Sequence, residues 1–329
     1  MTGEHSGKHR GPAQRAVPRL IRYENGITAV DAQYVRVGLA AVHIIEHKGK
    51  AAFVDTGANH SVPYLLAALQ ELDLAPAAVE YVFLTHVHLD HAGGAGQLMR
   101  ALPNARAVLH PRGAPHMIDP TKLIAGSMAV YGEAEFQRLY GELVPIAADR
   151  VVVTEDGQQL SLAGRVFEFL HTPGHALHHQ AIVDVASRGI FSGDTFGLSY
   201  REFDTARGPF IVPTTTPSQF DPDQLIASID RLQGRAPDAI YLTHYGRVRD
   251  VPRLAAQLKS QIGQFVEIAR RHAGQSNAYE RIQAEMRSLW LRLLREHGCT
   301  LPEAQIDELL GGDLELNTQG LVSWLKRTA

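Results

Sequence analysis

Three histidines and an aspartate lie within six consecutive positions of the sequence, in the stretch THVHLDHAGG. Imidazole nitrogens and carboxylate oxygens are ligands of zinc, iron and manganese. One residue separates His86 from His88, so an extended backbone directs both imidazoles to the same side. Asp90 and His91 follow after a turn and can face a second point nearby. A cluster of this density, at the end of an apolar run, indicates a metal site rather than a polar loop with chance histidines.

Three later segments supply further candidate ligands. Each presents a histidine or an aspartate beside a small or turn-forming residue at the end of an apolar run: HTPGH presents His175, FSGDT presents Asp194 and LTHYG presents His244. Any one of these three residues, taken alone, could have a purely structural role. Together with the first cluster they provide enough ligands for two metal sites. His178 and His179, which begin a strand near these motifs, are interpreted instead as solvated histidines at a strand end.

The elements that must position these residues are strands that alternate with helices. Short apolar and β-branched runs such as VEYVFLT, RVFEFLH, GIFSG and DAIYLTH predict strands that end at the candidate ligands. Helical spacing of apolar residues predicts helices at SVPYLLAALQELDL, GAGQLMRALP and DPDQLIASIDRLQ. Two blocks of strands, each followed by helices, favour an α/β fold in which two sheets pack face to face with helices outside.

Three regions depart from this pattern. Residues 1–19 are polar and interrupted by proline, which predicts a disordered tail before a catalytic domain at 20–250. Residues 119–148 form a partly helical, amphipathic insertion that could be a lid or a pocket wall. Residues 251–329 form a helical appendage. The insertion carries Met117, Met128, Tyr131, Phe136 and Tyr140 in or near it, and these side chains serve either an apolar acyl pocket or the packing of the insertion itself.

Two apolar stripes in the appendage must be covered, because exposed patches of that size are rare on a monomer. They are Leu254–Leu258–Ile262–Phe265 and Ile282–Met286–Leu289–Leu293. Trp290 and Trp324 add apolar surface beyond them. We expect the appendage to pack over the pocket-bearing edge of the catalytic domain, to form a homodimer, or both.

The composition excludes several function classes. The 329 residues carry a net charge of −3 and are 45% hydrophobic, so neither nucleic acid nor a membrane is expected as a partner. Cys299 is the single cysteine, which rules out an intramolecular disulfide and a multi-thiolate metal site. No apolar run approaches the roughly 20 residues of a membrane span, and the N-terminal residues lack the apolar segment of a signal peptide. A cytoplasmic enzyme is the expectation.

The motifs THVHLDH, TPGH, SGDT and LTHYG, with FVDTG upstream, resemble those of the metallo-β-lactamase superfamily, over about residues 20–250. The resemblance implies an αββα metallo-β-lactamase sandwich with metals at one edge, here with a C-terminal helical extension. It implies that one ion is held by His86, His88 and His175, a second by Asp90, His91 and His244, and both by Asp194. Asp55 would orient a ligand from behind. The insertion and the added helices are most similar to thioesterase-like members, a similarity of architecture.

The implied activity is that of a dinuclear hydrolase acting on a small-molecule ester, thioester or lactone. Two divalent ions roughly 3.5–4 Å apart can lower the pKa of a shared water enough to give a bridging hydroxide at neutral pH. Zinc is expected, with iron or manganese as alternatives, and Asp90 and Asp194 are the expected catalytic carboxylates. Acyl-homoserine lactonases place a tyrosine shortly after the bridging aspartate, whereas here Tyr200 is displaced.

Two other functions stay open at this point. One is a mononuclear iron dioxygenase that acts on a persulfide and consumes oxygen. The other is a metal-binding regulatory protein without catalysis, in which the helical appendage makes the regulatory contacts.

Overall fold

The computed structural model describes residues 16–215 and 217–329. Most of the tail predicted at residues 1–19 therefore lies outside the described residues. The first sheet contains β1 (Leu20–Arg22), β2 (Ile27–Asp31), β3 (Ala41–His47), β4 (Lys50–Val54), β5 (Val79–Phe83), β6 (Arg106–Leu109) and β7 (Val151–Val153). The second contains β8 (Gln159–Leu162), β9 (Arg165–His171), β10 (Gln180–Asp184), β11 (Gly189–Gly193), β12 (Ala239–Leu242) and β13 (Gly246–Val248).

Each sheet mixes antiparallel and parallel strand pairs. The first follows chain order from β1 to β7, antiparallel as far as β4 and parallel from β4 onward. The second has the order β13-β12-β11-β10-β9-β8, with β11 and β12 parallel. Parallel neighbours end at the same edge, so the loops after β4, β5, β11 and β12 can contribute to one site.

The two sheets pack face to face through large apolar side chains. Phe83 of the first sheet lies 5.2 Å from both Phe167 and Phe169 of the second, measured between ring centroids. All three are fully buried. Strand β9 alternates buried and half-buried residues along RVFEFLH, as expected when one face of a sheet is covered by a second sheet.

Ten helices within the described residues flank the sheets. They are α1 (Val62–Glu71), α2 (Leu89–Ala92), α3 (Ala95–Ala101), α4 (Ala114–Ile118), α5 (Thr121–Tyr131), α6 (Glu133–Leu139), α7 (Pro222–Gln233), α8 (Val251–Arg271), α9 (Ala278–His297) and α10 (Glu303–Thr328). α1, α3 and α6 pack in a core with the first sheet, and α7 and α8 with the second. The predicted αββα sandwich with a C-terminal helical extension is confirmed.

The insertion at 119–148 consists of α5, α6 and an extended segment that returns to β7. It is packed firmly on the first sheet's helices. A β-carbon added to Gly96 of α3 would lie only 1.8 Å from the carbonyl oxygen of Val144. Phe136 is fully buried, so this aromatic belongs to the core of the insertion rather than to an open pocket.

The appendage contains three helices, whereas the apolar stripes indicate two. The missed helix is α10, which spans 26 residues. Gly311, Gly312 and Gly320 lower its helix propensity, and the buried Asn317 interrupts its apolar pattern. α8, α9 and α10 share one hydrophobic core with the catalytic domain. Trp290 and Trp324 are both buried in that core. In the described part of the chain, no helix is both long and apolar enough to cross a membrane.

Candidate metal centre

The candidate ligands meet at one edge of the sandwich. His86, His88, Asp90 and His91 follow β5, and the remaining three follow strands of the second sheet: His175 comes after β9, Asp194 after β11 and His244 after β12. The structure brings all seven of these side chains together in three overlapping groups.

The first group consists of His86, His88 and His175, with one ligand atom from each within 4.8 Å of the others. The Nδ1 atom of His88 lies 2.9 Å from Nε2 of His86 and 3.1 Å from Nε2 of His175. Three imidazole nitrogens that face one point in this way form the kind of donor set that binds a zinc or iron ion.

The second group consists of Asp90, His91 and His244. Nε2 of His244 lies 3.3 Å from Oδ2 of Asp90 and 3.3 Å from Nε2 of His91. The distance between Nε2 of His91 and Oδ2 of Asp90 is 3.6 Å. This group contains a carboxylate as well as two imidazoles, so it offers a harder donor set than the first.

Asp194 lies between the two groups. Its Oδ1 is 3.2 Å from Nε2 of His91, and its Oδ2 is 3.4 Å from Nε2 of His175. Oδ1 is buried and has no hydrogen-bond donor among the described residues. A buried carboxylate oxygen without a donor is costly, and a metal ion would satisfy it. The donor set therefore fits divalent metal ions.

The outer nitrogen of three histidines is fixed by a hydrogen bond, which sets the tautomer. His91 Nδ1 donates to Oδ2 of Asp55 at 2.8 Å, and His244 Nδ1 donates to the Leu39 carbonyl at 2.9 Å. His175 Nδ1 contacts the Thr214 hydroxyl at 3.1 Å, and that hydroxyl donates to the Asp194 carbonyl. In each ring the Nε2 lone pair is left to face the centre, as in histidines that bind metals.

Asp55 supports the site from behind. It is buried, and besides His91 it accepts hydrogen bonds from the Thr85 backbone at 2.9 Å and from the Thr243 hydroxyl at 3.0 Å. Its φ of 61° is unusual for a residue other than glycine. The strands on either side hold this conformation, which aims the carboxylate at the loops carrying His86, His91 and His244.

Burial and neighbouring charges set the protonation states. Burial holds the pKa of His86 and His88 well below the usual value, and neighbouring histidines lower that of His86 further. Burial alone would also lower the pKa of His91, but the Asp194 and Asp90 carboxylates outweigh it and raise that pKa. In the same way His91 and His244 outweigh the burial of Asp90 and hold its pKa at about 2. Burial thus keeps the imidazoles of the first group neutral, whereas the ionised carboxylates around His91 and His244 favour a positive charge there, which a bound cation can supply instead.

The interpretation of His178 and His179 as solvated is wrong. Both are buried, and His179 is completely so. Nε2 of His179 accepts a hydrogen bond from the Asp194 backbone at 3.1 Å, while its Nδ1 contacts the Thr172 hydroxyl at 2.8 Å. His179 therefore positions the backbone of Asp194. A β-carbon on Gly193 would lie 2.7 Å from the same Nε2. Nothing in the spacing between residues 179 and 194 signals this contact.

A group of tyrosines lies beside Asp90. The hydroxyls of Tyr34 and Tyr140 are 2.7 Å apart, and the ring of Tyr131 lies 5.8 Å from that of Tyr140. Burial raises the pKa of all three phenols, and the Asp90 carboxylate raises each of them further. The insertion thus contributes two neutral hydroxyls next to a candidate ligand. Sequence reasoning considered Tyr131 and Tyr140 but missed Tyr34, which lies in the loop after β2.

The family of the chain follows from comparison with known proteins. The model of the metallo-beta-lactamase superfamily matches residues 35–244. This is well over half of the chain and includes all seven candidate ligands. The chain belongs to the metallo-β-lactamase superfamily.

Individual relatives cover smaller parts of the chain. A metallo-beta-lactamase fold-containing protein, ST1585 of Sulfurisphaera tokodaii, is 24% identical over 214 residues, which are 64% of this chain and 74% of the relative. A hydroxyacylglutathione hydrolase of Klebsiella pneumoniae is 33% identical over 152 residues, 46% of this chain and 44% of the relative. One from Xanthomonas euvesicatoria is 31% identical, covering 62% and 59%. The chain spans about half the length of these two hydrolases.

Solved structures share the fold. The metallo-beta-lactamase family protein TTHA1429 from Thermus thermophilus is 20% identical, with a TM-score of 0.61 that covers 94% of this chain and 92% of the other. The crystal structure of ST1585 gives a TM-score of 0.59 at 23% identity, over 74% and 86%. The match to TTHA1429 covers 94% of this chain, which is possible only if the C-terminal helices are included. The similarity to TTHA1429 therefore extends into the appendage. Family and donor set together support a metal-dependent hydrolase.

Proposed function

We propose that the chain is a dinuclear metal hydrolase that cleaves an ester, thioester or lactone of a small molecule. The observation that carries the proposal is the position of Asp194, whose two oxygens face two separate groups of three ligands. The similarity to hydroxyacylglutathione hydrolases supports hydrolysis of an acylated thiol, at an identity too low to transfer the substrate.

In this proposal each group holds one ion. His86, His88 and His175 hold the first, Asp90, His91 and His244 hold the second, and Asp194 contacts both. Zinc suits this mixture of imidazole and carboxylate, with iron or manganese as the alternatives. When bound, the ions supply Lewis acidity and a water of lowered pKa.

The chain's own residues keep the reacting groups in place. Asp55 and His179 fix His91 and the Asp194 backbone. The Asp90 side chain is 23% exposed, against 9% for Asp194, so we assign to Asp90 the exchange of protons with solvent during turnover. The hydroxyl of the half-buried Tyr131 can donate to the acyl part of a substrate, while the buried Tyr34 and Tyr140 hydroxyls bond each other behind it.

The decisive experiment measures metal content and reaction type together. Protein purified without chelator is analysed for metal by inductively coupled plasma mass spectrometry. It is then assayed on a panel of esters, thioesters and lactones with an oxygen electrode running. We expect two ions per chain, hydrolysis products and no oxygen uptake. One iron per chain with oxygen uptake on a persulfide would replace the proposal by a dioxygenase. Two ions without cleavage of any compound would favour a regulatory protein.

Replacement of Asp194 is the matching genetic test. Asp194→Ala removes the carboxylate that faces both groups, and among the described residues no other carboxylate lies within 4 Å of histidines of both groups. We expect activity to fall below detection and metal content to fall below two ions per chain. Asp230→Ala, on the exposed side of α7, is the control that should keep both. Wild-type rates with two ions still bound in Asp194→Ala would contradict the assignment.

A further inference from the structure

The last helix of the appendage reaches the candidate metal centre. The Thr215 backbone donates to the Asn317 side chain at 2.6 Å, and the Thr215 hydroxyl donates to the Asn317 carbonyl at 2.9 Å. Thr214, the residue before, contacts His175. One helical turn earlier on the same helix, Asp313 accepts a hydrogen bond from the Tyr200 hydroxyl at 3.0 Å. α10 is thus attached to the loops after β11 that lie against the ligands.

Asp313 and Tyr200 lie close to the second ligand group. The Ser199 backbone, next to Tyr200, donates to the carbonyl of His244. Burial raises the pKa of Asp313 to about 6, the charge of His244 acts in the opposite direction, and that of Asp194 adds to the rise. Asp313 is half-buried, in contrast to the fully buried Tyr200 whose hydroxyl bonds it.

The pair presents only hydrogen-bond acceptors. A phenol has one proton, and Tyr200 gives it to Oδ2 of Asp313, so the phenol oxygen has only lone pairs left to offer. Within the described chain no Lys, Arg or His nitrogen lies within 4 Å of the Asp313 carboxylate. The guanidinium of Arg36 stacks 4.6 Å above the Tyr200 ring and pairs with Glu202 at 2.8 Å instead. A half-buried carboxylate without a cation calls for a further donor from elsewhere.

We infer that Asp313, supported by Tyr200, is a specificity-determining residue that binds a hydrogen-bond donor of the substrate, an ammonium or a hydroxyl group. The inference rests on the proposed hydrolase function and names the substrate class of that site: an acyl compound with a donor group close to the bond that is cleaved. Tyr200 is the positioning residue, because its hydroxyl fixes the orientation of the carboxylate. The appendage would then select substrates as well as stabilise the fold.

The test uses three matched thioesters of one thiol, with an unsubstituted, an ω-hydroxy or an ω-amino acyl chain, at several chain lengths. We expect wild type to favour the hydroxy or amino compound at one length. Asp313→Asn keeps an acceptor for Tyr200 but loses the charge and turns an amide donor toward the site. It should raise KM for the favoured compound by about 10–100-fold, as expected for a lost hydrogen bond to a charged group, with kcat, metal content and the unsubstituted compound little changed. Preference for the amino over the hydroxy compound would identify an ammonium ligand.

Two further measurements separate specificity from folding. Binding of the three product acids to metal-replete protein, measured by calorimetry, should show the same loss in Asp313→Asn without any turnover. Glu308→Gln, an exposed position on the same helix, is the control and should behave as wild type. An equal effect of Asp313→Asn on all three compounds, or a wild type that does not discriminate among them, would overturn the inference. If wild type cleaves nothing, the proposed function fails, and the calorimetry still decides whether Asp313 binds a donor group.

Discussion

The chemistry of single side chains at this site depends on which ring nitrogen carries the proton. His91 can direct a lone pair at the centre only because Asp55 takes the proton of its other nitrogen. The Thr85 and Thr243 hydroxyls use the remaining lone pairs of Asp55, so the carboxylate is held by donors on all sides. An uncharged side chain of the same shape cannot accept all of these bonds.

The first prediction tests this arrangement. In Asp55→Asn, an amide nitrogen must replace one carboxylate oxygen and then meets either His91 or Thr85 donor to donor. If it faces His91, the ring must take the other tautomer, whose Nε2 carries a proton and cannot bind a metal ion. We expect metal affinity to fall by about 10–100-fold, the usual effect of removing such a supporting group. Competition with a chromogenic chelator measures it, with Asp238→Asn, exposed beside Arg188, as the control. Unchanged affinity would show that Asp55 serves only the backbone.

Sequence could indicate some residues of the site and not others, for a physical reason. His86, His88, Asp90 and His91 are neighbours in the chain, and the other candidate ligands follow apolar runs, so their types and positions could be read directly. His179, Tyr34 and Asp313 act through contacts across 15 or more residues of sequence. Burial of these polar groups follows from tertiary packing, which the spacing of residue types does not encode.

At the level of elements, strands were easier to predict than the last helix. Runs such as VFEFL and AIYL are β-branched or aromatic and end at turn residues, so their periodicity predicts them well. α10 buries Asn317 against the catalytic domain and Thr318 against Met286 of α9, and so has no continuous apolar stripe. Asn317, one of the polar residues that interrupt the apolar periodicity, is also the residue through which the helix contacts the loop next to His175.

The insertion allows a prediction that distinguishes a residue lining the substrate pocket from a residue of the hydrophobic core. Tyr131 is half-buried, and burial together with the charge of Asp90 raises its pKa to about 12. Phe136 is fully buried among apolar side chains. Tyr131→Ala should therefore raise KM for long acyl chains more than for short ones at unchanged metal content. Phe136→Ala should instead cost about 3–5 kcal/mol of stability. Steady-state kinetics over a chain-length series and urea unfolding measure the two effects. An equal effect of Tyr131→Ala on short and long substrates would assign this residue to packing as well.

On the scale of the whole molecule, the catalytic domain and the appendage form one packing unit. Phe210 packs on His297 and Phe220 on Trp324, with ring centroids 5.3 and 6.4 Å apart. Gln261 of α8 donates to the Ile211 carbonyl at 2.7 Å. A β-carbon on Gly197, three residues after Asp194, would lie 2.8 Å from a methyl group of Leu258. The appendage thus packs against the loops that follow Asp194, and the homodimer stays a prediction.

The last prediction concerns removal of the appendage. Deletion of residues 251–329 would expose Phe210, Ile211 and Phe220, which are now at most 1% exposed. Each such side chain contributes about 1.5–3 kcal/mol when buried, so the summed loss is comparable with the total stability of a domain, about 5–15 kcal/mol. We expect the shortened chain to aggregate or to unfold at a much lower temperature.

A second truncation, of residues 303–329 alone, leaves α8 in place and removes Asp313 and Asn317. It should keep more of the fold than the longer deletion, and it should lose selectivity among acyl compounds before it loses metal. Size-exclusion chromatography, thermal unfolding and metal analysis of both fragments measure this order, and full-length protein in the same assays shows whether a dimer is present. A soluble, fully active fragment that ends at residue 250 would show that the appendage is an independent module with no part in the site.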